Sequence, residues 1–480
     1  MTHTFLWHDY ETFGIDPRSD RPAQFAAIRT DADLNEIGEP INILCQPAPD
    51  YLPSPGSCLI TGITPQQCLQ QGMPEWQFAR TIHEAMAQPG TIGVGYNTIR
   101  FDDEFTRFLF WRNLIDPYAR EWQNECGRWD LLDVVRMTYA LRPQGIEWPV
   151  VDGKPSFKLE HLSAANGLVH DAAHDALSDV RATIALARLL REKQPRLFEF
   201  ALGLRRKDRV AQELGLPATQ QTAQPFLHVS GMVPADRGCL ALMWPLASHP
   251  TNRNELLAWD LRHDPSELAL LDAEAIRTRL FTRSDALPEG VQRLPIKSIH
   301  LNKSPMVVRN LRTLSPEMAA RWQFDLEPQL QHAVAARDLP DMSAIWAQVF
   351  TRPTATAPVD VDGDLYGGFL SNGDRRKLED LRQLSPAQLA ASRTGFEDER
   401  LPELLFRYRA RNFPDTLNPE EAEQWQGHCA SRLLDGAGGA RSVDALLAEL
   451  DELQQQDLEP AKQQVLDQLY EYAEMVVPQE

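Results

Sequence analysis

Asp9 and Glu11 stand two residues apart in Leu6-Trp7-His8-Asp9-Tyr10-Glu11-Thr12, an apolar run that ends in acid. Read as a β-strand, this run sends both carboxylates to one face. Like charges held together repel unless a cation neutralises them. Oxygen-only ligands suit a hard divalent ion such as Mg²⁺ or Mn²⁺. The competing reading is a strand edge with two solvated acids. Asp-x-Glu is short and common, so the rest of the chain must supply further ligands.

Two other stretches offer them. Residues 91–96 read as a short apolar strand that runs into Asn97-Thr98-Ile99-Arg100-Phe101-Asp102-Asp103, the opening of a helix. Asp102 is then a third carboxylate at a strand end. Asp103 competes with it, and a helix cap is the alternative role. Farther on, Leu177, Val180, Ile184 and Ala187 recur at helical spacing, which predicts a helix from about Asp175. Asp179 lies one turn in, beside the buried stripe, where an unpaired charge is expensive. His174 precedes the first turn and is a candidate general base toward water. His161 and His170 read as structural.

These groups need a scaffold. Residues 25–30 and 41–45 read as strands that follow the first in an antiparallel meander, joined through the turn formers of 31–40. Helices are expected over 74–87, 103–113 and 129–141. Aromatic rings interleaved with arginine can stack unpaired bases, and Arg107, Tyr118, Trp122 and Arg136 fit that role. Tyr118 and Trp122 are four apart and would share one helix face. Phe105, Phe108 and Phe110 read as core. Lys158, at the start of another helix, is a candidate phosphate contact.

At 480 residues the chain needs two or three domains. It shows no signal peptide and no apolar run that could span a membrane. Six scattered cysteines without a Cys-x-x-Cys pair fit free thiols in a reducing cytoplasm, and argue against a cysteine zinc site. The net charge of −20 disfavours indiscriminate nucleic-acid binding but leaves room for one basic groove.

The order Asp9-x-Glu11, then Asp102, then His174-x-x-x-x-Asp179 resembles the DEDD superfamily of 3′→5′ exonucleases, in its His-containing branch. Longer strings narrow the likeness to the bacterial exonuclease I family. They include Trp-His-Asp-Tyr-Glu-Thr-Phe-Gly (7–14), Tyr-Asn-Thr-Ile-Arg-Phe-Asp-Asp-Glu (96–104) and Pro-Ser-Phe-Lys-Leu-Glu-His-Leu (155–162). His-Val-Ser-Gly-Met (228–232) and Tyr-Arg-Ala-Arg-Asn-Phe-Pro (408–414) extend it along the whole chain. The resemblance implies an α/β, ribonuclease H-like catalytic domain with a mixed sheet flanked by helices. It also implies an SH3-like β-barrel middle domain and an all-α C-terminal domain. The implied activity is processive release of deoxynucleoside 5′-monophosphates from the 3′ end of single-stranded DNA, in repair and recombination.

By the same resemblance, Asp9, Glu11, Asp102 and Asp179 hold two Mg²⁺ ions, with Mn²⁺ as a substitute, and His174 activates the attacking water. Glu11 and the backbone at Thr12 and Phe13 meet the terminal nucleotide. Lys158, Arg107, Tyr118, Trp122, Arg136 and Phe157 line the strand's path. The family also binds the acidic C-terminal tail of the single-stranded DNA-binding protein, for which Arg142, Arg309 and Arg312 are candidates by basic character and position.

The expected domains are 1–201 (exonuclease), 202–350 (SH3-like), a 351–364 linker and 365–480 (helical). Short strands at 226–229, 240–246 and 255–261, a strand end within 298–303, and helices from 315 and 327 belong to the second. In the third, Arg407, Arg409 and Arg411 read either as packing against a neighbouring element or as a basic wall for DNA. The acidic helices around 443–474 read as a solvated face. Other functions to weigh are an RNA-trimming enzyme of the same superfamily, a non-catalytic single-strand adaptor, and a sugar-nucleotide transferase that leaves Asp102, His174 and Asp179 without a role. A cytoplasmic monomer is expected.

Overall fold

The computed structural model describes residues 3–168, 175–351 and 359–476. The chain divides into two compact units. The first combines Met1–Gly127, His170–Ile184 and Ala357–Glu480, and the second combines Arg128–Val169 and Ala185–Thr356.

In the first unit, β1 (Thr4–Thr12), β2 (Pro22–Thr30) and β3 (Ile41–Leu44) form the antiparallel meander, and β4 (Thr91–Gly95) pairs parallel to β1. The sheet is therefore mixed, and runs β3-β2-β1-β4 through this unit. Pairing with β4 covers β1 only from Thr4 to Trp7, so His8 to Thr12 run on beyond it. That overhang creates the notch in which Asp9 and Glu11 stand.

Helix α1 (Glu75–Met86) buries Phe78, Ala79 and Ile82 against Leu6, Tyr10 and Phe25 of the sheet. The same core takes in Leu109 and Phe110 of α2 (Asp102–Arg112). Phe105, Phe108 and Phe110 are buried, as the apolar reading required. α3 (Ala176–Lys193) carries Asp179 in its first turn.

The C-terminal part of this unit includes α4 (Asn372–Arg382), α5 (Leu401–Asn412), α6 (Pro419–Asp435), α7 (Val443–Gln454) and α8 (Pro460–Val476). The acidic helices α7 and α8 are more than a solvated face. Leu446, Leu450, Leu466, Leu469 and Tyr472 repeat at helical spacing and pack with Phe13, Tyr51 and Leu52. The acids fill the outer positions.

Arg407, Arg409 and Arg411 are all engaged within this unit. Arg407 pairs with Asp360 and Glu403 at 2.8 Å, Arg409 with Glu421 at 2.8 Å, and Arg411 with Asp50 at 2.8 Å and with Asp362. These arginines are internal ties, which decides for packing over an exposed basic wall.

The second unit holds a five-stranded antiparallel sheet of β5 (Phe226–Val229), β6 (Leu240–Ser248), β7 (Glu255–Asp260), β8 (Ile296–His300) and β9 (Met306–Val308), in the order β8-β7-β6-β5-β9. Leu227, Leu242, Trp244, Leu257, Trp259 and Val307 fill its core. Its helix Leu131–Leu141 starts two residues later than expected, because Asp130 caps it by accepting from Leu132 N–H at 3.0 Å. All six cysteines are free thiols. Among the described residues no helix is long and apolar enough to cross a membrane.

Candidate active site

Asp9 and Glu11 share a face of β1, and Asp179 arrives from the first turn of α3. One carboxylate oxygen from each of the three lies within 4.8 Å of the others. Asp102, at the start of α2, is almost fully buried and accepts a hydrogen bond from Tyr10 N–H at 3.1 Å. The chain reaches Asp102 through a tight path. A Cβ at Gly95 would come within 2.7 Å of the His8 carbonyl oxygen, and Asn97 turns the chain with a φ of 67°. Thr106 Oγ1 then bonds the Asp102 carbonyl at 2.8 Å and fixes the first turn of α2.

The charges in this notch are alike. Burial first, then Asp102, Glu11 and Asp179, pushes Asp9 well above the usual carboxylate range. Burial, followed by Asp179 and Asp102, pushes Glu11 up to about 8. Among the described residues no arginine or lysine is ion-paired with Asp9 or Glu11. Clustered, partly desolvated carboxylates of this kind suit a hard divalent cation, which takes oxygen ligands and replaces their shared protons.

Asp102 and Asp103 separate by partner. Asp103 is fully buried and holds Arg120 Nη2 at 2.5 Å, which ties it to the chain after α2. A fifth carboxylate, Asp175, was missed at the level of sequence. It caps α3 by accepting from Ser178 N–H at 3.0 Å, and its charge also raises Asp9 and Glu11. Its place before a helix, three residues ahead of Ser178, was the available signal. His8 is buried between Thr98 Oγ1 at 3.2 Å and the Leu6 carbonyl at 3.3 Å. Burial lowers its pKa to about 4, so it stays neutral. His174 and His170 lie outside the described residues.

Residues 6–187 match the exonuclease family profile, 205–352 the exonuclease I SH3-like domain, and 359–476 the exonuclease I C-terminal domain. The chain is 47% identical to exodeoxyribonuclease I of Escherichia coli K12 over 427 residues, 88% of this chain and 89% of that one. It is 43% identical to exodeoxyribonuclease I of Haemophilus influenzae over 472 residues, 98% of each chain. Exonuclease I from Methylocaldum szegediense superposes with a TM-score of 0.94 at 47% identity, covering 99% of this chain and 100% of that one. Escherichia coli exonuclease I in complex with a dA16 oligonucleotide superposes with a TM-score of 0.92 at 43% identity and the same coverage.

The chain belongs to the exonuclease I family. The fold class expected from the sequence holds: an exonuclease domain of the ribonuclease H-like class, an SH3-like domain and a helical C-terminal domain. An exonuclease domain of this type is metal-dependent, in keeping with the acid cluster.

The other residues expected in an exonuclease I site are spread over both units. In the first, Thr12 Oγ1 donates to the Gly14 carbonyl at 2.7 Å. The Phe13 ring is in the core, and its carbonyl accepts from Ser54 N–H at 2.7 Å. Arg107 is buried, makes two bonds to Glu121 at 2.8 and 3.0 Å, and lies 5.2 Å from the Tyr118 ring centroid. Trp122 is 62% exposed. Tyr118 and Trp122 flank a single 3₁₀ turn, so the shared α-helical face expected of them is absent. Tyr366 and Phe369, which the sequence reading passed over, join this aromatic group. The Tyr366 hydroxyl bonds Glu104 and, at 3.2 Å, Arg107, and the Phe369 ring lies 6.0 Å from that of Tyr118. The string Tyr-Gly-Gly-Phe was the available signal.

In the second unit, Arg136 pairs with Asp133 at 2.7 Å, and a Cβ on Gly231 would meet its guanidinium at 2.7 Å. Phe157 packs edge-on to Tyr139. Lys158 is exposed, with Glu160 at 3.5 Å. Arg142 donates to the Thr313 carbonyl at 2.9 Å and borders a cavity of about 450 Å³ lined by Met137, Leu141, Leu197 and Phe200. Arg309 bonds Gln224 at 2.9 Å, and Arg312 is exposed.

Proposed function

We propose that the protein is a 3′→5′ exonuclease that degrades single-stranded DNA processively to deoxynucleoside 5′-monophosphates. The observation that carries this reading is the cluster of Asp9, Glu11 and Asp179, with Asp102 beside it, in which no arginine or lysine among the described residues is ion-paired with Asp9 or Glu11. These four residues would hold two Mg²⁺ ions, for which Mn²⁺ substitutes. When bound, such ions stabilise charge on the attacking and leaving oxygens of an in-line displacement.

The chain's own groups do the rest. Glu11 and the backbone at Thr12 and Phe13 meet the terminal nucleotide and its 3′-hydroxyl. His174 accepts the proton of the attacking water, a role that rests on its place five residues before Asp179. Arg107, Tyr118, Trp122, Arg136, Phe157 and Lys158 guide the strand. The exonuclease I complex with a dA16 oligonucleotide supports single-stranded DNA as the substrate. We assign residues 1–201 to the exonuclease domain, 202–350 to the SH3-like domain, 351–364 to a linker and 365–480 to the helical domain.

A partner fits the second unit. The apolar cavity edged by Arg142, with Arg309 and Arg312 as further basic contacts, suits the acidic, hydrophobic C-terminal tail of the single-stranded DNA-binding protein. We place the enzyme in the cytoplasm as a monomer that serves DNA repair and recombination.

A gel time course tests the reading, with 5′-labelled single-stranded DNA, its duplex and the matching RNA, in Mg²⁺. Loss of the single strand from its 3′ end with the duplex spared is expected, slowed about 10²–10⁴-fold by His174→Ala. Faster loss of RNA would move the assignment to an exoribonuclease. Tight single-strand binding with no cleavage would leave an adaptor.

A further inference from the structure

Arg21 and Arg112 flank one carboxylate, that of Glu75, inside the first unit. Arg21 immediately precedes β2, Glu75 opens α1 and Arg112 closes α2. The two arginines are sealed from solvent, at 2% and 1% exposure, and Glu75 is buried with them. Glu75 Oε1 accepts from Arg112 Nε at 3.3 Å and from Asn113 Nδ2 at 2.8 Å, while its Oε2 stands 4.0 Å from Arg21 Nε. Against burial, Arg112 and then Arg21 hold the Glu75 carboxyl below its usual value, so it keeps its charge.

The two guanidiniums are short of acceptors, although each carries a fork of N–H donors. Among the described residues the Arg21 side chain makes no hydrogen bond. Its Nε and Nη1 are buried without an acceptor, Asp362 is 3.8 Å from its Nη2, and the Tyr51 ring centroid lies 5.8 Å from its Cζ. Arg112 uses only Nε, and both its Nη atoms are buried without an acceptor. Asp362 does not make up the difference, because Arg411 and Arg407 already bond it. Buried donors left unmet are costly and rare in folded proteins. The shortage shows in Arg112, which burial first, then Arg21, lowers to about 10. Arg411 is the contrast: against burial, Asp362 and Asp50 push it up.

We infer that Arg21 and Arg112 together bind a small monovalent anion of halide size. Water would meet the donors but leave two buried cations on one carboxylate. An anion answers both needs. A monatomic ion suits the place, because it accepts N–H groups from several directions and both arginines are closed off from solvent. The unmet Nη atoms of Arg112 and the Nε and Nη1 of Arg21 are the donors that would hold it. The site joins the start of β2, the head of α1 and the tail of α2, and Asp362 beside Arg21 belongs to the C-terminal part of the same unit. Its role is structural. α2, 11 residues long, carries Asp102 at its other end, so the anion would brace a helix that reaches the acid notch. The inference stands apart from the nuclease reading.

The test uses the full-length protein, dialysed into sodium gluconate with EDTA so that the acid notch takes no part. Melting is followed as chloride replaces gluconate from about 1 to about 300 mM at fixed ionic strength. Wild type should gain about 2–4 °C, as expected of a ligand that binds only the folded state. Bromide should act like chloride. Arg21→Gln and Arg112→Gln should each melt at a temperature that no longer depends on the halide, whatever their own stability. Crystals of wild type grown in bromide need no variant to fold, and should show an anomalous peak in contact with both guanidiniums.

Identical melting of wild type in chloride and gluconate would overturn the inference. So would a halide effect of equal size in wild type and both variants, which would mark a general action of salt on the surface. A bromide peak here with no effect on melting would mark an adventitious ion only. Ordered water in place of the peak would also sink the idea. Loss of the halide effect in either variant, with bromide seated between the guanidiniums of wild type, would establish the site whether or not the protein cleaves DNA.

Discussion

Asp50 and Asp9 are both carboxylates of the first unit, and their surroundings push them in opposite directions. Asp50 is fully buried, yet Arg411 makes two bonds to it at 3.0 and 2.8 Å, with Arg432 and His428 close by. Arg411, together with a hydrogen bond to His428 and the charge of Arg21, outweighs burial and holds Asp50 well below the usual carboxylate range. Asp362 is held down in the same way, by Arg411 and Arg21. Asp9 has Glu11, Asp102 and Asp179 around it, and is pushed up. The chain thus supplies its own counter-charge where acids tie segments together. Among the described residues no arginine or lysine is ion-paired with Asp9 or Glu11, so the counter-charge there must come from solution. Buried acid alone does not mark a metal site; its missing partner does.

Breaking either side should give opposite results. Asp9→Asn should lower nuclease activity by at least about 10³-fold, since several kcal/mol of metal-dependent stabilisation are lost. The same variant should leave the metal-free protein as stable as wild type or more so, because the fold no longer has to protonate a buried carboxyl that its neighbours push up. Activity and urea denaturation in EDTA check both halves. Asp50→Asn should do the reverse on stability, costing about 3–5 kcal/mol by removing the buried carboxylate that Arg411 and Arg432 share. A lowered urea midpoint checks it.

The pH profile sharpens the contrast. Glu11 binds a proton up to about pH 8 in the fold but only to about 4.5 when unfolded. The folded state therefore holds more protons in that window, and stability of the metal-free protein falls as pH rises through it. Asp50 and Asp362 act oppositely. They stabilise the fold above the ordinary carboxylate pKa, and that stability is lost as pH drops through their depressed values. Melting in EDTA should decline from about pH 5 to 8, and Mg²⁺ should flatten that decline while leaving the acid limb unchanged.

The smallest effect is expected at Asp175, which shares both characters. Asp175→Ala removes a helix cap worth about 1 kcal/mol and one repelling charge. A change in melting temperature of only a few degrees and a loss of activity under about tenfold are expected. A loss as large as that of Asp9→Asn would make Asp175 a ligand.

Much of this site was legible in the sequence. The period of two in β1 put Asp9 and Glu11 together, and the helical stripe of Leu177, Val180 and Ile184 placed Asp179 one turn in. What the sequence hid depended on long-range partners. Asp102, the one the sequence favoured, and Asp103 are adjacent, and what separates them in the fold, Arg120 on Asp103 and Tyr10 N–H on Asp102, is not visible in their spacing. Arg407, Arg409 and Arg411 had the composition of a nucleic-acid wall, and their pairing with Asp50, Asp360, Asp362, Glu403 and Glu421 reveals them as ties. The acidic run of α7 and α8 concealed a leucine stripe, because local charge outweighs spacing when composition is read first. Likewise, the division of the chain into units joins the opening strands with the last helices, which chain order does not suggest.

The central claim is that Asp9 and its neighbours hold a divalent cation in place of protons. Calorimetric titration of Mn²⁺ into the metal-free protein tests it most directly, run at pH 7 in two buffers of different ionisation enthalpy. Wild type should bind and release protons, and Asp9→Asn should bind far more weakly with fewer released. Equal binding by both proteins, or binding without proton release, would contradict the account.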